Sequence, residues 1–197
     1  MPRYNYFVPA ALIIFGIIAA SQLQGCAGVV AAGAAGGAAL ATDRRSGTAI
    51  VDDGAIELKI NNAILADEEL AEKLHINVTS YNHVVLLTGE APTEAARNRI
   101  VDYARHAEKV RQVYNEIAVE QASDMNARSL DTWITAKVKA KLLGLKDIST
   151  AHIKVVTEKQ IVFLMGIVTR EEAQAAVDTA RFVDNVERVV ILFEYQN

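Results

Sequence analysis

The pattern of apolar and polar positions divides this chain into two unlike parts. Residues 6–42 contain no Asp, Glu, Lys or Arg, whereas from Asp43 onward the two classes interleave. The later part is written twice, and an internal repeat is the strongest organisational signal a sequence can carry. Ile56-Glu57-Leu58-Lys59-Ile60 matches Ile134-Thr135-Ala136-Lys137-Val138, and His75-Ile76-Asn77-Val78 matches His152-Ile153-Lys154-Val155. Val84-Val85-Leu86-Leu87-Thr88-Gly89 matches Ile161-Val162-Phe163-Leu164-Met165-Gly166, and Val110–Val113 matches Val186–Val189. The offset drifts only from 78 to 77 to 76, which two single-residue loop differences explain.

Each copy predicts the same elements. An opening helix places apolar residues every fourth position, at Ile56, Ile60 and Ile64 and again at Ile134, Val138 and Leu142. Two short β-branched runs follow, with turns expected at Tyr81-Asn82 and Glu158-Lys159 and a glycine ending the second strand. A second, Ala-rich helix starts near Thr93 and near Arg170, and a last strand closes the unit. The expected class is α+β: two tandem αββαβ domains, each a three-stranded mixed sheet with two helices on one face. The first copy spans 48–120, the linker 121–126 and the second copy 127–197.

The N-terminal part has a different logic. Arg3 precedes a 14-residue apolar core, Phe7–Ala20, which is short for a membrane span and interrupted by Pro9 and Gly16. A short positive end, an apolar run of this length and small residues at a cut site describe a secretory signal, here residues 1–25. A single-pass anchor with an incidental cysteine is the weaker alternative. Leu23-Gln24-Gly25-Cys26 resembles the bacterial lipobox, in which the cysteine is lipidated. Several acyl chains on Cys26 anchor stably where one binds reversibly. Ala27, in place of Asp, implies by the same resemblance sorting to the outer membrane. Residues 26–47 then form an Ala/Gly-rich segment. It reads either as a tether with a reach of about 25 Å or, through Gly33 and Gly37, as a small-residue packing element.

The repeat resembles the BON domain family. The resemblance rests on Gly166-Ile167-Val168-Thr169-Arg170-Glu171-Glu172-Ala173 after the second strand and on the V-x-x-V opening of the last one. A lipobox followed by two such domains is similar to the dual-BON lipoproteins of the outer membrane. That resemblance implies lipid binding, a periplasm-facing position, support of envelope integrity, and links to the division site and to outer-membrane protein assembly.

Composition narrows the chemistry. A net charge of −4 argues against a general nucleic-acid binder. A single cysteine excludes an internal disulfide framework and a Cys-rich zinc site. His75 and His152 share one repeat position and read as structural; His83 should lie at the far end of the hairpin from His75. No H-x-x-x-H, G-x-S-x-G or phosphate-loop spacing occurs. The acidic pairs Asp52-Asp53, Glu68-Glu69 and Glu171-Glu172 read as helix-end or solvent-facing groups. No catalytic residue, metal or cofactor is expected.

The two copies differ in charge. Residues 48–120 hold 7 Lys+Arg against 13 Asp+Glu, whereas residues 126–197 hold 10 against 9. The second opening helix also carries a second apolar stripe: Trp133, Ala136, Ala140 and Leu143, bordered by Lys137, Lys139 and Lys141. A helix in a two-layer domain buries one stripe, so the other needs a partner. Tryptophan among lysines suits a membrane–water interface. The equivalent residues of the first copy, Ala55, Leu58, Asn62 and Leu65, lack the aromatic, and Lys139 and Lys141 become Asn61 and Ala63. Packing of the stripe on the first domain is the alternative. The expected function is non-enzymatic binding of anionic phospholipid, phosphatidylglycerol or cardiolipin, through this helix. A protein-docking module for the outer-membrane assembly machinery is the second reading.

Overall fold

The computed structural model describes residues 43–70, 74–145 and 152–196. The expected signal, Cys26 and most of the Ala/Gly segment lie outside these residues. In chain order the elements are α1 (Gly47–Ala66), β1 (His75–Tyr81), β2 (Val84–Ala91), α2 (Glu94–His106) and β3 (Gln112–Val119). The second copy repeats them as α3 (Met125–Leu143), β4 (Ile153–Glu158), β5 (Ile161–Val168), α4 (Arg170–Ala180) and β6 (Arg188–Tyr195). In each copy the first two strands pair antiparallel and the last joins in parallel, giving the mixed sheets β1-β2-β3 and β4-β5-β6.

Local chemistry sets the helix starts. Ser46, Thr93, Asp124 and Thr169 each accept a hydrogen bond from an otherwise unpaired backbone N–H of the first turn. At Thr169 the exchange is mutual, because Glu172 reaches back to the Thr169 N–H. Both helices of a copy bury one stripe on the same sheet face. Ile56, Ile60 and Ile64 meet Val85 and Leu87 in the first core. Ile134, Val138 and Leu142 meet Val162 and Leu164 in the second.

The remaining faces of the two sheets cover each other. Tyr81, Val84 and Leu86 of the first sheet pack on Phe163 and Met165 of the second. The middle strands are thus buried on both sides, which is why Val84–Leu87 and Ile161–Met165 read as continuous apolar runs rather than alternating ones. Tyr81 Oη donates to the His152 carbonyl at 3.2 Å, and burial pushes its phenol up to about 12. Arg44, from the end of the segment expected as tether, reaches across to Glu172 at 2.7 Å and holds that carboxyl below its usual range.

Three expectations need correction. The turns lie one residue later, at Asn82-His83 and Lys159-Gln160, and all four residues have positive φ. Gly89 and Gly166 lie within β2 and β5 rather than at their ends. Asp53 is neither at a helix end nor facing solvent. It is buried, accepts from the Asn82 and His83 N–H groups at 2.7 and 2.8 Å, and pairs with Arg45. Asp131, its repeat equivalent, does the same for Lys159 and Gln160 at 2.8 Å. A left-handed turn without glycine is costly, and in each copy a carboxylate from the opening helix offsets that cost.

Candidate functional site

Helix α3 has two opposed faces. Ile134, Val138 and Leu142 point into the core. Trp133, Ala136, Ala140 and Leu143 lie about half a turn away, so they form the outward face. All four are exposed, as are Lys137, Lys139 and Lys141. Trp133 is 40% and Leu143 70% exposed. Trp133 and Leu143 are thus not covered by the first domain, whose apolar contact with the second runs through the sheets.

The charges follow the same face. The only acidic residue of α3 is Asp131, which is buried on the hairpin turn. The lysines that pair with carboxylates among the described residues are Lys59, Lys109, Lys154 and Lys159, none of them on α3. Lys137 Nζ sits 4.5 Å above the Trp133 ring, a cation–π contact that steadies the indole at the surface. Lys141 Nζ donates to the Phe182 carbonyl at 3.1 Å.

That bond brings in a residue the sequence reading missed. Phe182, just beyond α4, is 70% exposed, and the Arg181 guanidinium lies 4.8 Å from its ring. Its backbone stands beside the C-terminal end of α3. The signal was present: the first copy has His106 where the second has Phe182. Met125, at the other end of α3, is also exposed.

The first domain is a less clean control than its sequence suggested. Val51, Leu58 and Leu65 of α1 are exposed too, so α1 has an apolar stripe of its own. It lacks an aromatic, and α1 carries Asp52, Asp53 and Glu57 against one lysine, Lys59. The helices therefore differ in charge and aromatic content, not in the presence of a stripe. Among the described residues no helix is long and apolar enough to cross a membrane.

The second domain thus offers a rim of cations around shallow apolar tips. Such a surface is chemically complementary to an anionic, partly apolar plane. His75 and His83 lie at opposite ends of the β1–β2 hairpin, as their spacing implies.

The chain has relatives of the same build. The BON domain family matches residues 52–121 and 130–197. Outer membrane lipoprotein DolP of Haemophilus influenzae is 35% identical over 173 residues, covering 88% of this chain and 90% of that protein. The 21 kDa hemolysin of Actinobacillus pleuropneumoniae is 37% identical over 153 residues, covering 78% and 79%. Osmotically-inducible protein Y of Escherichia coli is 31% identical over 142 residues, covering 71% and 70%. With both halves of the repeat matched and the αββαβ unit present twice, the chain belongs to the BON domain family, as a protein with two such domains in tandem.

Proposed function

We propose that this protein is a non-enzymatic outer-membrane lipoprotein whose second BON domain binds anionic phospholipid through α3. Lipid on Cys26 holds it at the periplasmic face. Trp133, Leu143 and Phe182 enter the headgroup region, while Lys137, Lys139 and Lys141 meet the phosphates of phosphatidylglycerol or cardiolipin. The name of the Haemophilus relative supports the location. The observation that carries the reading is the outward face of α3, where Trp133 and Leu143 are exposed among lysines without carboxylate partners. Each lysine adds about 1 kcal/mol against an anionic surface, so three contribute roughly 100-fold in affinity. The two membrane contacts, covalent and reversible, would keep the domains close to the envelope at the division site and support its integrity.

The test is vesicle binding by residues 43–197, the compact unit that excludes the lipid anchor. Binding should be strong to vesicles with phosphatidylglycerol, weak to purely zwitterionic ones, and should fall as salt screens the lysines. Equal binding to both vesicle types contradicts the proposal.

The exposed Val51, Leu58 and Leu65 of α1 favour a second reading, in which the first domain docks a protein of the envelope such as the outer-membrane assembly machinery. The two readings use different helices, so alanine or charge substitutions on α1 and α3 separate them.

A further inference from the structure

Within the contact between the two sheets, three chemically active side chains converge. His75 opens β1, Glu90 is near the end of β2, and Glu158 ends β4. One ligand atom from each lies within 4.8 Å of the others. His75 Nδ1 is 3.0 Å from Glu90 Oε2 and 3.7 Å from Glu158 Oε1. Glu90 is 0% and Glu158 4% exposed. The second oxygen of Glu158 is oriented by Asn77 Nδ2 at 2.9 Å, and Glu90 Oε2 accepts from the Ser123 N–H at 3.2 Å. Glu90 Oε1 is buried and has no hydrogen-bond partner among the described residues.

This arrangement is costly as it stands. Two buried carboxylates repel, and His75 supplies at most one compensating charge. Arg128 lines the adjoining cleft, but its Nε turns to Ser123 Oγ. Lys159, next in sequence to Glu158, pairs with Glu120. The fold itself does not require the carboxylates. The repeat equivalent of Glu158 is Tyr81 and that of Glu90 is Ile167, so the same interface is built elsewhere from apolar contacts.

We propose that His75, Glu90 and Glu158 form a binding site for a divalent transition-metal ion, with zinc the best match, that joins the two domains. One imidazole and two carboxylates suit a borderline ion better than magnesium or calcium. Ligands at ordinary zinc distances are about 3.3 Å apart in a tetrahedron, within the range found here. The ion supplies the missing charge beside a carboxylate, Glu90, whose other oxygen has no partner among the described residues. Asn77 and the Ser123 N–H already hold the two carboxylates in place, as outer partners do at metal sites. A cleft of about 380 Å³, lined by His75, Asn77 and Glu158 among others, gives an entry path and leaves room for water as the fourth ligand. Because Glu158 comes from the second domain and the other two ligands from the first, binding fastens the domains to each other.

The experiment uses the full chain in detergent, stripped with chelator and titrated calorimetrically with zinc chloride. The expected result is one equivalent bound with micromolar or tighter affinity, together with a higher melting temperature. Glu90→Gln and Glu158→Gln should each weaken binding at least tenfold. Both should fold, since glutamine keeps the shape and removes a buried charge. Absence of saturable binding at one equivalent overturns the proposal, as does wild-type affinity in the folded double variant. Should the variants misfold, cobalt(II) added to the wild type decides. An intense tetrahedral visible band at one equivalent supports the site, and its absence refutes it.

Discussion

Gly89→Ala is expected to lower the melting temperature by more than 10 °C and to unfold part of the population at 37 °C. Gly89 has φ +109°, a conformation that side chains rarely adopt, and it sits opposite Ile76 in the β1–β2 ladder. A Cβ there would lie 1.9 Å from the His75 carbonyl oxygen and 2.8 Å from its carbon. The obstacle is backbone, so no rotamer change relieves it. Backbone strain of about 1–3 kcal/mol adds to overpacking of about 1–3 kcal/mol. Together they take a large share of the roughly 5–15 kcal/mol that holds a domain folded. Gly166→Ala meets the His152 carbonyl at 2.1 Å but has no positive φ, so its loss should be smaller. Denaturant or thermal unfolding of the two variants checks the order. A Gly89→Ala protein as stable as wild type would contradict the register described for the first sheet.

The largest functional effect is expected from Trp133→Glu. The indole stands on the outward face of α3 and takes no part in either domain core or in the contact between the sheets. Folding should therefore survive, as unfolding curves can confirm. Removing the apolar insertion loses about 2–3 kcal/mol, and a carboxylate at the same point repels the anionic surface. Binding to phosphatidylglycerol vesicles should fall by about 100-fold or more. Leu143→Glu should act in the same direction and Lys139→Glu more weakly, because one charge at the rim is worth less than an inserted ring. Leu58→Glu on α1 should leave vesicle binding unchanged. Unaltered binding by a folded Trp133→Glu protein would remove α3 from the account.

The fold was readable because it is repeated. The matched runs at a nearly constant offset exposed the αββαβ unit, and the every-fourth apolar rows on α1 and α3 are the buried rows. The packing of sheet on sheet was not foreseen, although the continuous runs at Val84–Leu87 and Ile161–Met165 signalled strands covered on both faces. Asp53 was misread for a related reason, and no role was expected for its repeat equivalent, Asp131. Acidic residues near a helix start are usually solvated, and only their recurrence in both copies marks a shared structural task. The Trp133 stripe was legible because its residues are close in sequence and periodic. Phe182 differed visibly from its equivalent His106, but only the fold brings the end of α4 beside the end of α3. His75, Glu90 and Glu158 were out of reach altogether: the repeat equivalents of the two glutamates are Ile167 and Tyr81, and the meeting of the three depends on how the domains dock.

In the proposed function the exposed face of α3 contacts lipid. A photo-crosslinking amino acid at position 133 of the full chain, activated in growing cells, tests it most directly. Adducts with phospholipid are expected, enriched for phosphatidylglycerol or cardiolipin, and lost when Lys137, Lys139 and Lys141 are replaced by glutamate. A single discrete protein adduct without lipid labelling would contradict it and would assign this face to a protein partner.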